Sequence, residues 1–174
     1  MSDVCDWPEL LREMEAAKRC LAMNDGDGLW RQEPRQPPAT PEQVAEIAMV
    51  TCCAVDPEYA DFLLHSNGWP AILQDIDLFG TADFGTLPYV EAKELLHIIE
   101  TEGDVRLAAN SSHLIPIGAS RADIDIFAMS CASVPGRPAV VAWIAGGEIE
   151  RYSSFREFFR GMIAENYAEA ESLK

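Results

Sequence analysis

The sequence predicts an α+β fold with a central, mainly antiparallel sheet and flanking helices. Three observations carry that prediction. Apolar residues recur at helical spacing from the N-terminus to about Asn67, alternate in strand fashion through the middle of the chain, and return to a helical stripe near its end. Segregating helices from strands in this way favours an antiparallel sheet over alternating β-α-β units.

The first helix is marked by Asp6 and Glu9 as a capping box, by Pro8 in the first turn, and by Trp7, Leu10, Leu11, Met14 and Leu21 at helical spacing. Asn24-Asp25-Gly26-Asp27-Gly28 stops it, and a polar connector with Pro34, Pro37 and Pro38 follows. The connector separates the helix from the rest, so an appended arm and a helix packed on the core both remain open. Residues 1–38 are therefore expected to be helix and connector, and residues 39–174 the α+β domain.

Thr40, Pro41 and Gln43 start a second helix with Val44, Ile47 and Ala48 as its stripe. Asp56-Pro57 starts a third, carrying Tyr59, Phe62 and Leu63, and Asn67-Gly68 is expected to cap it in a left-handed conformation. Residues 72–79 read as one strand, with Ile76 and Leu78 on one side and Asp75 and Asp77 on the other. A fourth helix over 88–100 places Ala92, Leu95, Leu96 and Ile99 on one face. Residues 113–118, 122–130 and 138–145 read as strands, and Gly146-Gly147 turns into a short strand through Ile149. Ser154 and Glu157 open the last helix, with Phe155, Phe158, Phe159, Met162 and Ile163 on one face.

Thirteen Lys and Arg against 29 Asp and Glu give a formal charge of −16. A field of that sign repels phosphate backbones and anionic lipid, so neither nucleic acid nor a membrane is an expected partner. It attracts a basic protein and raises its on-rate. The five cysteines, Cys5, Cys20, Cys52, Cys53 and Cys131, are odd in number and form no C-x-x-C pair, so all are expected to be reduced thiols and mostly buried. The adjacent Cys52 and Cys53 point to opposite sides of most backbone conformations, which suits neither a metal site nor an easy disulfide. With no signal-peptide pattern and no apolar run long enough to span a bilayer, a cytoplasmic location is expected, where the Asn110-Ser111-Ser112 sequon has no role.

Few patterns point to chemistry. Asp75-Ile76-Asp77 and Asp123-Ile124-Asp125 are Asp-x-Asp pairs of the kind that can open a phosphoryl-transfer site, but neither has the hydroxyl residue such sites use, and a solvated strand face accounts for both. Asp25 to Gly28 does not match a calcium loop, because Gln36 stands where the bidentate Glu belongs. His65, His97 and His113 are scattered without a nearby His or Cys partner, so no metal or other cofactor is expected. Gly118-Ala119-Ser120-Arg121-Ala122 lacks the last glycine of a nucleophile elbow, and no phosphate-binding glycine loop is present.

The order of signals resembles one family. Pro57-Glu58-Tyr59 with Phe62-Leu63-Leu64 and Asn67-Gly68, then Leu114-Ile115-Pro116-Ile117-Gly118 with Ile124-Asp125-Ile126, then Gly147-Glu148 and the run from Ser153 to Phe159, are similar to successive motifs of the SUKH superfamily, the Smi/Knr-like proteins. The resemblance runs from about Thr40 to Ile163; Asp56, Trp69 and Arg121-Ala122 depart from the family's usual residues. It implies an α+β fold without catalytic residues. In many bacterial members it implies an immunity protein that binds and neutralises a polymorphic or contact-dependent toxin, often a nuclease.

The expected function is therefore non-catalytic binding of a basic toxin domain by occlusion. A regulatory adaptor of the same fold and a metal-dependent enzyme using the Asp-x-Asp carboxylates are the alternatives. The candidate contact residues are Asp75, Asp77, Asp83, Asp123, Asp125, Glu148 and Glu150, with Trp69 as the candidate aromatic anchor, although a place in the core is favoured over exposure for that residue. Monomer and homodimer both remain open.

Overall fold

The computed structural model describes residues 6–102, 114–131 and 138–174. Cys5, the sequon at Asn110 and His113 lie outside them. Six strands form one sheet: β1 (Trp69–Leu73), β2 (Ile76–Leu78), β3 (Leu114–Ser120), β4 (Asp125–Ser130), β5 (Val141–Ala145) and β6 (Glu148–Tyr152). Each pairs antiparallel with the next in chain order. The helices are α1 (Trp7–Asn24), α2 (Pro41–Thr51), α3 (Pro57–Leu63), α4 (Leu87–Glu102) and α5 (Phe155–Ser172). This is the expected α+β architecture.

Strand alternation divides the core in two. Ile126 and Ala128 of β4, with Ala142 and Ile144 of β5, meet Ala92, Leu96 and Ile99 of α4 on one face. Phe127, Met129 and Val141 point to the opposite face and join the aromatic stripe of α5. There Tyr59 and Phe155 lie 4.9 Å apart, and Phe127 and Phe158 4.8 Å apart, between ring centroids. Each fully buried large side chain contributes about 1.5–3 kcal/mol, and each such ring pair about 0.5–1.5 kcal/mol more.

The N-terminal helix is not an appended arm. Trp7 is 1% exposed and sits 5.4 Å from both Phe62 and Phe159. The Asn24 side chain donates to the Ala170 carbonyl at 3.0 Å, and the Trp30 indole donates to Glu169 at 2.8 Å. The proline-rich connector therefore spans between packed elements. It carries α1 onto α5, where the apolar stripe read from the sequence finds its partner.

Local signals fare unevenly. The Thr40–Gln43 capping box forms in both directions, and Ser154 accepts the Glu157 amide. At Asp6 no side-chain cap forms; its backbone carbonyl takes the Glu9 amide at 2.9 Å instead. The single strand expected over 72–79 is a hairpin, because Gln74 adopts a left-handed conformation (φ 51°) and reverses the chain between β1 and β2.

Gly68 does not cap α3, which ends at Leu63. Its φ of 86° instead serves a close backbone crossing: a Cβ on Gly68 would lie 2.5 Å from the Gly80 amide nitrogen, and one on Gly80 would lie 2.2 Å from the Asn67 carbonyl oxygen. The Asn67 side chain locks the crossing, accepting from the Thr81 amide at 2.7 Å and donating to its hydroxyl at 3.0 Å.

The cysteine expectation is also corrected. Cys53 and Cys131 form a disulfide with Cα atoms 5.7 Å apart and a sequence separation of 78 positions, while Cys20 and Cys52 are free thiols. The adjacent pair does point apart, but Cys53 turns towards the end of β4 and Cys52 towards solvent. No described helix is long and apolar enough to cross a membrane.

Candidate functional site

A cleft of about 730 Å³ opens where the sheet meets α4. The antiparallel register builds it. Pairing Ile76 with Ser120 brings the β1–β2 turn beside the β3–β4 turn, so the two Asp-x-Asp sequences, 48 positions apart in the chain, converge at one end of the sheet. Pro88, Glu91, Ala92 and Leu95 of α4 form the facing wall.

The carboxylates at this end are held in place by donors. Asp75 accepts from the Ser120 hydroxyl at 2.5 Å and the Ala122 amide at 3.1 Å, tying one turn to the other. Asp77 accepts from the Ala71 amide at 2.7 Å, from Arg121 Nε at 2.6 Å and from the Arg31 guanidinium at 3.3 Å. Asp125 takes the Trp143 indole N–H at 2.6 Å. Asp123 accepts the amide of Ile124, the next residue, at 2.8 Å. These residues do not form two solvated strand faces: Asp75 and Asp123 are in turns, and Asp77 is mostly covered, its side chain 17% exposed.

Of the eight candidate contact residues, Trp69, Asp77, Asp83, Asp123 and Asp125 line the cleft. Asp75 braces it from behind. Glu148 and Glu150 do not line it; they lie on the edge strand β6, where Glu148 pairs with Arg151 and Glu150 accepts from the Tyr152 hydroxyl at 3.1 Å. Trp69 is 2% exposed, which places it in the core and removes it as an exposed anchor. The strand turns its indole into the core beside Phe159, and the connector covers it from outside, with Trp69 Nε1 donating to the Glu33 carbonyl at 3.2 Å.

Two residues outside the candidate contact set define the cleft's charge. Glu91 adds a carboxylate from α4, and Arg121 supplies the one cationic side chain among the lining residues, against five carboxylates. Glu91 occupies an ordinary helix surface position, so only the tertiary packing of α4 gives it this role. Crowding shows in the titration. Burial raises Asp83 from the ordinary aspartate value despite the Gly80 amide bond, with the charge of Asp77 adding to the rise. Burial likewise raises Asp125 against the Trp143 bond, helped by Asp123 and Asp75.

Such a site suits recognition of positive charge. Asp77, Asp83 and Asp125 are fixed in advance and partly desolvated, and the lining is short of counter-charge, so an incoming guanidinium or ammonium would meet little reorganisation there. Among the described residues no group of three or more His, Cys, Asp or Glu side chains is arranged to hold a metal ion.

Comparison with curated proteins gives no match. The family model for SMI1 / KNR4 (SUKH-1) matches residues 38–161, well over half of the chain, and so covers the whole sheet, α4 and all of the cleft lining except Gln36. The chain belongs to the SMI1 / KNR4 family (SUKH-1).

Proposed function

We propose that this protein is a non-catalytic binding domain of the immunity kind, which neutralises a basic toxin domain by covering its active surface. The observation that carries the reading is the cleft, where five carboxylates face one arginine beside a helix wall. Family membership supports it as well, and so does the formal charge of −16, which steers a basic partner from a distance. A nuclease is the toxin class that fits best, because a cleft that holds nucleic acid has to be positive. The fixed carboxylates would stand in for phosphates.

The experiment is co-expression with the product of the neighbouring reading frame, scored for protection and for a complex at several salt concentrations. The reading expects protection, a complex, and an association rate that falls steeply as salt rises. Absence of both protection and complex would remove the immunity role. Association insensitive to salt would remove the electrostatic part.

A further inference from the structure

We propose that the Cys53–Cys131 disulfide is a reversible redox tether, and that its state sets the mobility of the C-terminal end of α2 next to the cleft. This does not depend on the identity of any protein partner.

The two sulfurs belong to segments that a second device already holds together. Asp56, 1% exposed, accepts the Ala139 amide through Oδ1 at 3.0 Å and caps α3 through Oδ2 at 3.0 and 3.1 Å. The α2–α3 junction and the start of β5 thus stay adjacent without the covalent bond. The opened thiols keep a high effective concentration for each other, which favours re-closure over loss of structure.

Access decides how exchange proceeds. Cys53 is 7% exposed, whereas Cys131 is only partly buried. A small thiolate therefore attacks the Cys131 sulfur, forming a mixed disulfide there and expelling Cys53 as a thiolate that takes up a proton. A second small thiolate attacks the small-molecule sulfur of that mixed disulfide, releasing Cys131 and the oxidised small-molecule disulfide. Two electrons pass from two small thiols to one protein disulfide, and closure is the reverse.

The tether matters because α2 is thinly anchored. Only Val44 and Ile47 of its eleven residues are buried, against seven in α5. Cys53 follows the left-handed C-cap of α2 directly, at Cys52 (φ 54°). In the last turn Val50 sits against Gly85, where an added Cβ would be 3.4 Å from Val50 Cγ1. Gly85 leads into α4, the wall of the cleft. Opening the disulfide removes the covalent anchor from the helix end that supports this entry.

The test uses the full chain in buffers of oxidised and reduced glutathione, with alkylatable thiols counted by mass and amide exchange followed in both forms. We expect two fewer thiols in oxidising buffer, their return in reducing buffer, and exchange at residues 41–53 and 83–90 about tenfold or more faster when reduced, with α5 unchanged. A thiol count that never changes, a loss that glutathione does not reverse, or equal exchange in the two forms would each overturn the proposal. Cys53→Ser should show the faster exchange in both buffers, and Cys52→Ser should behave as the parent. If Cys52→Ser instead abolishes the thiol loss, the pairing is wrong and the tether with it.

Discussion

Asp77 holds Ala71 in a conformation that alanine avoids. Ala71 has a φ of 50°, its amide donates to Asp77 Oδ1 at 2.7 Å, and its carbonyl accepts from the buried Lys18 Nζ at 2.6 Å. The irregular register of β1 is thus fixed from both sides by charged groups. Asp77 is a hub of the fold first, and a cleft residue second.

Asp77→Ala is accordingly expected to lower stability by about 1–3 kcal/mol, chiefly because it strands the Ala71 amide; Arg31 keeps Glu33 and Arg121 is mostly exposed. Chemical denaturation measures this. The same experiment on Gln74→Gly should show a gain of about 0.5 kcal/mol, because relief of a left-handed residue outweighs the extra freedom of glycine in the unfolded chain.

Lys18 gives a pH signature. Burial, with the charge of Arg31 adding to it, brings its pKa down from 10.5 to about 8. Between those values the folded chain has released the proton and the unfolded chain still holds it, so stability rises with pH across that interval, by about 3 kcal/mol in all. Below pH 8 the cost is fully present. Lys18→Met should remove this slope, as read from denaturation midpoints between pH 7 and 11.

The Gly68–Gly80 crossing tolerates no side chain. Gly80→Ala places a Cβ 2.2 Å from a backbone oxygen, which no rotamer change relieves. A loss of about 2–4 kcal/mol is expected by thermal or chemical unfolding, with Gly26→Ala, where nothing lies within 4 Å, as a near-neutral control.

Partner association should separate the two groups of candidate carboxylates. Charge reversal at Asp123, in the cleft, is expected to slow association about tenfold at low salt, whereas reversal at Glu150, on the far edge strand, should change it by less than about threefold. Stopped-flow mixing with the neighbouring gene product distinguishes them, and equal effects would relocate the binding face.

How much of this was legible in the sequence depended on distance along the chain. Thr40 and Gln43 sit three residues apart, and their capping box could be read directly. The aromatic stripe of α5 was likewise visible, because Phe155, Phe158 and Phe159 share a face whatever they pack against. Gln74 hid the β1–β2 turn, since glutamine carries no turn signal and its left-handed backbone is imposed by the pairing on either side. Trp69 stood between core and surface because its cover, the Glu33 carbonyl, comes from a connector 36 residues away. The Cys53–Cys131 bond joins segments brought together by Asp56, and spacing alone holds no trace of it. The cleft was half legible: its aspartates stood out, but their convergence is a matter of strand register.

The pairing of α1 with α5 sets an order on events during synthesis. Neighbouring strands of the sheet can zip up as hairpins while the chain emerges, because each needs only the one before it. α1 cannot do the same. It leaves the ribosome early, and apart from the contact of Trp7 with Phe62 of α3 it must wait for its main packing partner until α5 has been made. The interval is the vulnerable one for this protein, because the apolar face of the first helix stays largely uncovered until α5 is free to pack against it.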